Sequence, residues 1–163
     1  MMNFKKYNNV TKIVVPGGVR LSNTSFSNAF NNMRALQSFN LPNNVTNLSK
    51  SFYQCVNLSC NTWCGDNVVN FFQAYYACRN LTGSPVCGNN VVHMGYAYEG
   101  CCNLTGSPVF GENVINAYFA YSGCSNLTGN PIFPSKYNPF SPTTSEKSIS
   151  CIFKCSFSIS NSS

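Results

Sequence analysis

Apolar side chains recur along this chain at a fixed 23-residue interval. Counting Val45, Val68, Val91 and Val114 as position 0 of successive units, position 3 holds Leu48, Phe71, Met94 and Ala117, and position 7 holds Phe52, Tyr75, Tyr98 and Tyr121. Position 10 is Cys55, Cys78, Cys101 and Cys124. Spacings of three, seven and ten put these side chains on one face of a helix, which predicts about three helical turns per unit with the apolar stripe inward. Ser51, Ala74, Ala97 and Ala120 stand beside that stripe, where small side chains let neighbouring helices approach. Asn44, Asn67, Asn90 and Asn113 precede the valines and are suited to cap those helices.

After the stripe comes Asn-Leu, at Asn57-Leu58, Asn80-Leu81, Asn103-Leu104 and Asn126-Leu127, and in the last three units Thr-Gly follows. The run ending at Pro85, Pro108 or Pro131 has the length of one rung of a parallel strand ladder, with Leu inward and Thr outward, and proline ends the bonding because it lacks an N–H. An irregular unit precedes these, with Phe26, Phe30, Met33 and Leu36 in the inward places and a spacing of 22 to the next. Since a repeat coil buries its apolar face only against its neighbours, the pattern predicts a solenoid of about five coils.

Three segments follow. Residues 1–21 hold Val10–Pro16, which reads as a strand covering the first coil; residues 22–133 are the repeats; residues 134–163 are a Pro- and Ser-rich connection followed by a strand. In that last strand Phe153, Cys155, Phe157 and Ile159 alternate with Lys154, Ser156, Ser158 and Ser160. It either caps the last coil or adds to a partner's sheet.

Composition narrows the function. Only 9% of the residues are charged, so solubility rests on Asn, Ser and Thr. The net charge of +6 does not form a basic stripe, because residues 65–133 carry Arg79 against Asp66, Glu99 and Glu112 and the other basic residues lie mostly at the two ends; a nucleic-acid partner is not expected. No stretch reaches the ~20 apolar residues of a membrane span. The opening Met1–Lys6 is basic, but Tyr7–Lys12 is too polar for a signal-peptide core, which favours a particle-associated protein over one exported by that route.

Chemistry is sparse. The single histidine, His93, replaces Asn47, Asn70 and Asn116 at position 2 and reads as a solvent-facing substitution rather than a general base. Asp66, Glu99, Glu112 and Glu146 form no evident acid–base pair, no phosphate-binding glycine loop appears, and Cys151 and Cys155 lack a second ligand pair for zinc. No enzymatic activity, metal or cofactor is expected. Cys64 and Cys87 share a site with Phe110 and Phe133, so these two and the position 10 cysteines read as buried free thiols used as small hydrophobes. Cys60, Cys102, Cys151 and Cys155 leave a disulfide open. The Asn-Leu-Thr triplets match a glycosylation acceptor, yet an asparagine at a constant coil position more commonly bonds the adjoining backbone.

Two surfaces are candidates for binding. Ser59, Thr82, Thr105 and Thr128, flanked by Ser84 and Ser107, form an outward hydroxyl ladder. Tyr53, Tyr76, Tyr96 and Phe119 form an aromatic surface. Phe153, Cys155, Phe157 and Ile159 are a third, tail-borne candidate for partner docking.

The pattern Asn-Val-x-x-Met/Phe-x-x-Ala-Tyr-x-x-Cys-x-Asn-Leu-Thr, seen at Asn67–Thr82 and Asn90–Thr105, resembles the BspA-type leucine-rich repeats of bacterial surface proteins, which also occur in phage structural proteins. The likeness covers about residues 22–133. It implies an α/β solenoid, a right-handed coil with a parallel strand ladder on one side and short helices on the other, capped at both ends. The chain departs from it by carrying Leu-Thr-Gly-Ser-Pro-Val in place of the usual Leu-x-x-Leu-x-Leu strand. The function expected is a non-enzymatic structural or adhesive protein, displayed on a virion in several copies and contacting protein partners, a host-surface receptor or a glycan. The alternatives are a bacterial cell-surface adhesin and an intracellular protein-binding scaffold.

Overall fold

Residues one repeat apart lie against each other. In the computed structural model, which describes residues 4, 6–16, 19 and 22–134, the position 7 rings form a single column. Ring centroids are 5.4 Å apart for Phe4–Phe30, 5.3 Å for Phe30–Phe52, 5.2 Å for Phe52–Tyr75, and 5.5 Å for both Tyr75–Tyr98 and Tyr98–Tyr121. These steps are close to the 4.7–4.9 Å between hydrogen-bonded strands, so each turn of chain rests directly on the next. The core follows the same columns: Val45, Val68 and Val91, with Leu58, Leu81 and Leu104, are fully buried.

The predicted helices are absent: no α-helix occurs among the described residues. The inward spacing of three and four arises instead from consecutive tight turns. Within the coil of Val45, Ser51 N–H donates to Leu48 C=O, Tyr53 to Lys50, Cys55 to Phe52 and Leu58 to Cys55, each bond spanning three residues rather than the four of an α-helix. The intervening N–H groups point along the stack. Leu48 donates to Asn70, Lys50 to Phe72, Phe52 to Ala74 and Gln54 to Tyr76, at 2.7–2.9 Å. Two left-handed residues per coil reverse the direction of the peptide: Lys50 and Gln54, Gln73 and Ala77, Tyr96 and Gly100, Phe119 and Gly123. A helix requires every residue right-handed and every N–H spent internally; here half of them join coil to coil.

Strand structure is also shorter than predicted. β1 (Lys12–Val14) and β2 (Ser38–Asn40) form one parallel pair, with Ile13 opposite Phe39. β2 occupies positions 15–17 of its coil. In the coil of Val45 those positions read Cys60-Asn61-Thr62, and in the last three coils Gly-Ser-Pro or Gly-Asn-Pro, where Gly83 and Gly106 stand at φ +79°, outside the β region, and Pro85, Pro108 and Pro131 have no N–H. Only isolated parallel bridges remain there, Asn61 with Thr82 and Val109 with Ile132. A second row of bridges joins Ser25, Asn47, Asn70, His93 and Asn116 at position 2, inside the stretch whose spacing predicts a helix.

The asparagines do other work than capping helices. Asn67 and Asn90 side chains donate to the backbone carbonyls of Asn43 and Asp66, one coil back, at 2.8 and 2.7 Å. Asn47 and Asn70 accept the N–H two residues ahead through their own carboxamide oxygens. In the Asn-Leu-Thr triplets, Asn80 reaches the Asn57 side chain at 3.5 Å rather than an adjoining backbone.

The N-terminal segment is more than a covering strand. Phe4 N–H donates to Ala29 C=O, Tyr7 N–H to Phe4 C=O and Val10 N–H to Tyr7 C=O. These repeat the bonds of Phe52 to Ala74, Cys55 to Phe52 and Leu58 to Cys55, so Phe4, Tyr7 and Val10 occupy positions 7, 10 and 13 of a further coil. The stack therefore exceeds the five coils read from the sequence. Residues 135–163, which include the alternating strand Phe153, Cys155, Phe157 and Ile159, lie outside the described residues.

Candidate functional site: two surfaces of the repeat stack

The hydroxyl ladder stands where the repeat register puts it. Ser59, Thr82, Thr105 and Thr128 are exposed, one per coil. Its polar groups are partly committed to the stack. Thr82 Oγ1 donates to Ser59 C=O at 3.1 Å, and the N–H groups of Thr105 and Thr128 donate to Gly83 and Gly106 C=O. Ser84 and Ser107 lie over the glycines of the following coil: a Cβ at Gly106 would touch Ser84 Oγ, and one at Gly129 would touch Ser107 Oγ.

The aromatic residues separate into two groups. Tyr53 and Tyr76 stack at 4.6 Å and 5°, at position 8. Tyr96 and Phe119 stack at 5.2 Å and 7°, at the left-handed position 5. Two further rings, not among the predicted surface residues, pack around the second pair: Phe72 edge-on to Tyr96 at 6.1 Å and Tyr118 edge-on at 4.8 Å. Both lie at position 4 of their coils, where the coils of Val45 and Val91 hold Ser49 and Gly95, so no repeated aromatic marks the position in the sequence. The Lys50 ammonium sits 5.9 Å from the Phe72 ring centroid, a cation–π contact at the edge of the cluster. Three residues before Phe72 and Tyr118, Val69 and Ile115 are 45% and 78% exposed. Glu99 follows Tyr76 in the position 8 column, its Oε2 buried without a hydrogen bond, and burial holds its carboxyl above the ordinary carboxylate range. Tyr76 is raised as well, by burial first and then by Glu99 and the neighbouring tyrosines.

His93 is exposed in the position 2 bridge row. Among the described residues no cluster of three or more His, Cys, Asp or Glu is placed to hold a metal ion, and no helix is long and apolar enough to cross a membrane. The eight described cysteines are free thiols. Four of them have a common task. Cys55, Cys78, Cys101 and Cys124 donate S–H to the position 7 carbonyl one coil back, on Phe30, Phe52, Tyr75 and Tyr98, at 2.9–3.1 Å. Each such carbonyl already accepts the N–H three residues ahead, so the thiol occupies its second lone pair. Burial pushes Cys55 and Cys124 up to about 12 and holds Cys78 and Cys101 well above the ordinary thiol range, which makes them inert as nucleophiles. Cys64 and Cys87 are raised by burial to about 12 and about 11 in the site shared with Phe110.

A search of the curated proteins and of the solved structures returned no match. A family model did match: the BspA type leucine-rich repeat region, in six copies spanning residues 2–128. Its start coincides with the N-terminal coil built on Phe4, Tyr7 and Val10. Stacked coils, inward cysteines in a column and six successive copies over most of the length lead to one assignment: the chain belongs to the BspA-type leucine-rich repeat family.

Proposed function

We propose that the chain is a non-enzymatic adhesive module of a bacterial cell-surface protein, and that it holds a protein ligand against its aromatic face. Membership of the repeat family supports the surface and adhesive role. The observation that carries the choice of face is the cluster of Phe72, Tyr96, Tyr118 and Phe119 around one stacked pair, edged by Lys50. Rings of this kind offer a large contact area at little entropy cost, and they concentrate binding energy in protein interfaces. The hydroxyl ladder is a weaker candidate because Thr82 spends its hydroxyl on the neighbouring coil. A virus particle as the location draws no support from the family or the fold, and the cell surface takes its place.

The test is surface plasmon resonance of the immobilised chain against intact epithelial cells and purified extracellular-matrix proteins. The Tyr96→Ser, Phe119→Ser double variant is expected to weaken binding about tenfold or more. The Thr82→Glu, Thr105→Glu, Thr128→Glu triple variant is expected to leave it close to unchanged. The opposite ranking would move the contact to the ladder, and no loss in either variant would remove both faces.

A further inference from the structure

The outer column at position 8 changes chemistry along its length. Tyr53 and Tyr76 stack at 4.6 Å, and the next member, one coil on, is Glu99. Tyr76 therefore has a ring against one face and a carboxyl-bearing residue next in line on the other. The backbone ties Glu99 to both aromatic groups. Its N–H donates to Tyr96 C=O at 3.3 Å, and its C=O accepts from the N–H of Ala77, the residue after Tyr76, at 2.7 Å. Tyr96 is stacked on Phe119, so Glu99 adjoins both stacked pairs.

This carboxyl lacks a partner. Its Oε2 is buried yet accepts no hydrogen bond, while the residue as a whole is half-buried. Lys50, the cation at the edge of the cluster, belongs to a coil two steps earlier and lies against Phe72 instead. Burial holds the Glu99 carboxyl above its ordinary range, and burial together with that carboxyl does the same to the Tyr76 phenol. A cationic donor brought alongside would relieve both, because it favours the ionised carboxylate that burial penalises.

Aromatic faces attract the same class of ligand, a cation within ~6 Å of the ring centroid. A guanidinium suits the site better than an ammonium. It is planar and weakly hydrated, so it stacks on a ring while its edge donates parallel N–H bonds to a carboxylate; an ammonium is a compact, strongly hydrated point charge.

We propose that the aromatic face recognises an arginine side chain of its protein ligand, with the guanidinium stacked on Tyr76 and donating to the Glu99 carboxyl, and the methylene stem lying along Tyr96. This rests on the reading of the aromatic face as the adhesive surface and adds the chemistry of the group that is held there.

The probe is N-acetyl-arginine methylamide, titrated into the full chain and followed by NMR of the tyrosine rings and the glutamate carboxyl carbons. Saturable shifts at Tyr76, Tyr96 and Glu99 are expected. The citrulline derivative, which keeps the shape and loses the charge, is expected to bind at least about tenfold more weakly, and the lysine derivative at least about threefold. In the protein, Glu99→Gln is expected to weaken the arginine derivative at least about tenfold, with a melting curve to show that the fold is retained. Tyr76→Leu is expected to weaken it about threefold. Equal binding of the arginine derivative and either analogue, shifts confined to other residues, or undiminished binding to a folded Glu99→Gln chain overturns the proposal. The cell and matrix binding assay separates this proposal from the reading beneath it. Loss of attachment in the Tyr96→Ser, Phe119→Ser variant with none in Glu99→Gln overturns the arginine contact and keeps the face; loss in neither removes the face and the proposal together.

Discussion

The Tyr98 hydroxyl donates to the Val86 carbonyl at 2.6 Å and accepts from the Val86 N–H at 3.4 Å, so one phenol satisfies both backbone groups of a single residue. Tyr121 does the same for Val109, and Tyr75 for Trp63. Each strapped residue occupies position 18, and Val86 and Val109 directly follow a proline. Where strand pairing persists, with Val15 N–H donating to Asn40 C=O beside β1 and β2, the column rings are Phe4 and Phe30, without hydroxyls. In the coils of Val68 and Val91 the phenol thus bonds the backbone just after the Gly-Ser-Pro turn, and at Trp63 it does the same after Cys60-Asn61-Thr62.

Tyr98→Phe keeps the ring stack and removes only that strap. Two backbone groups lose their partner, which costs about 1–3 kcal/mol if they stay dry. Denaturant unfolding should register this loss. Phe52→Leu, which has no strap to lose, costs stability through ring packing alone and leaves exchange of the Val86 amide unchanged.

The position 9 column holds Asn32, Gln54, Ala77, Gly100 and Gly123, all with φ between +56° and +74°. Alanine is strained there by about 1–2 kcal/mol, against a smaller entropy cost for glycine. Ala77→Gly is expected to raise stability by about 0.5–1 kcal/mol. Gly111→Ala goes the other way, because its Cβ would run into the Gly88 carbonyl of the preceding coil. A loss of about 1–3 kcal/mol is expected, measured in the same unfolding experiment.

Glu99 ties stability to pH. Burial raises its folded-state pKa above the unfolded value of ~4.3, so the folded chain holds the proton more tightly. This contribution is full below the unfolded pKa and is lost as pH rises through the folded one. Glu99→Gln should consequently raise the melting temperature near neutral pH and leave it unaltered in acid below ~pH 4. An equal shift at both pH values contradicts this reading of the carboxyl.

Native thiols at position 10 should resist alkylation. With Cys55 and Cys124 raised to about 12, almost no thiolate exists at neutral pH, and all four side chains are buried. Iodoacetamide followed by peptide mass mapping should leave Cys55, Cys78, Cys101 and Cys124 unmodified until denaturant is added. Modification of any of them at the rate of an unfolded control would show that the column opens freely.

The stack was legible in the sequence because the inward columns repeat residue by residue: Val, then Phe or Tyr, then Cys, then Leu. The backbone between them was not. Spacings of three and four are shared by a helix and by successive three-residue turns, and side-chain period alone does not separate them. The distinguishing signal lay elsewhere, in Asn28, Asn32, Gly100 and Gly123, residue types suited to the left-handed region, all of which fall at positions 5 and 9. Proline at position 17 gave the correct warning about the strand, yet the consequence reached further than one missing bond, because glycine two residues earlier leaves the β region as well. The first coil escaped notice because Phe4, Tyr7 and Val10 lack the Asn-Val and Asn-Leu-Thr signatures and lie 26 residues before their counterparts Phe30, Met33 and Leu36. Of the candidate surfaces, the Thr column follows from register, whereas the division of Tyr53, Tyr76, Tyr96 and Phe119 into two pairs, and the rings of Phe72 and Tyr118 beside the second, emerge only from ring geometry.

Removal of one whole repeat tests the stacking register most directly. Deleting residues 91–113 joins Asn90 to Val114 in phase, so every inward column continues with one member fewer. Solution scattering and thermal melting of this variant should show a cooperatively folded chain shortened by one ring step, 5.5 Å. A control lacking residues 91–102, about half a repeat, should fail to fold. If the in-phase deletion unfolds as completely as the half-repeat one, residues 23 apart do not form interchangeable layers and the stack is wrong.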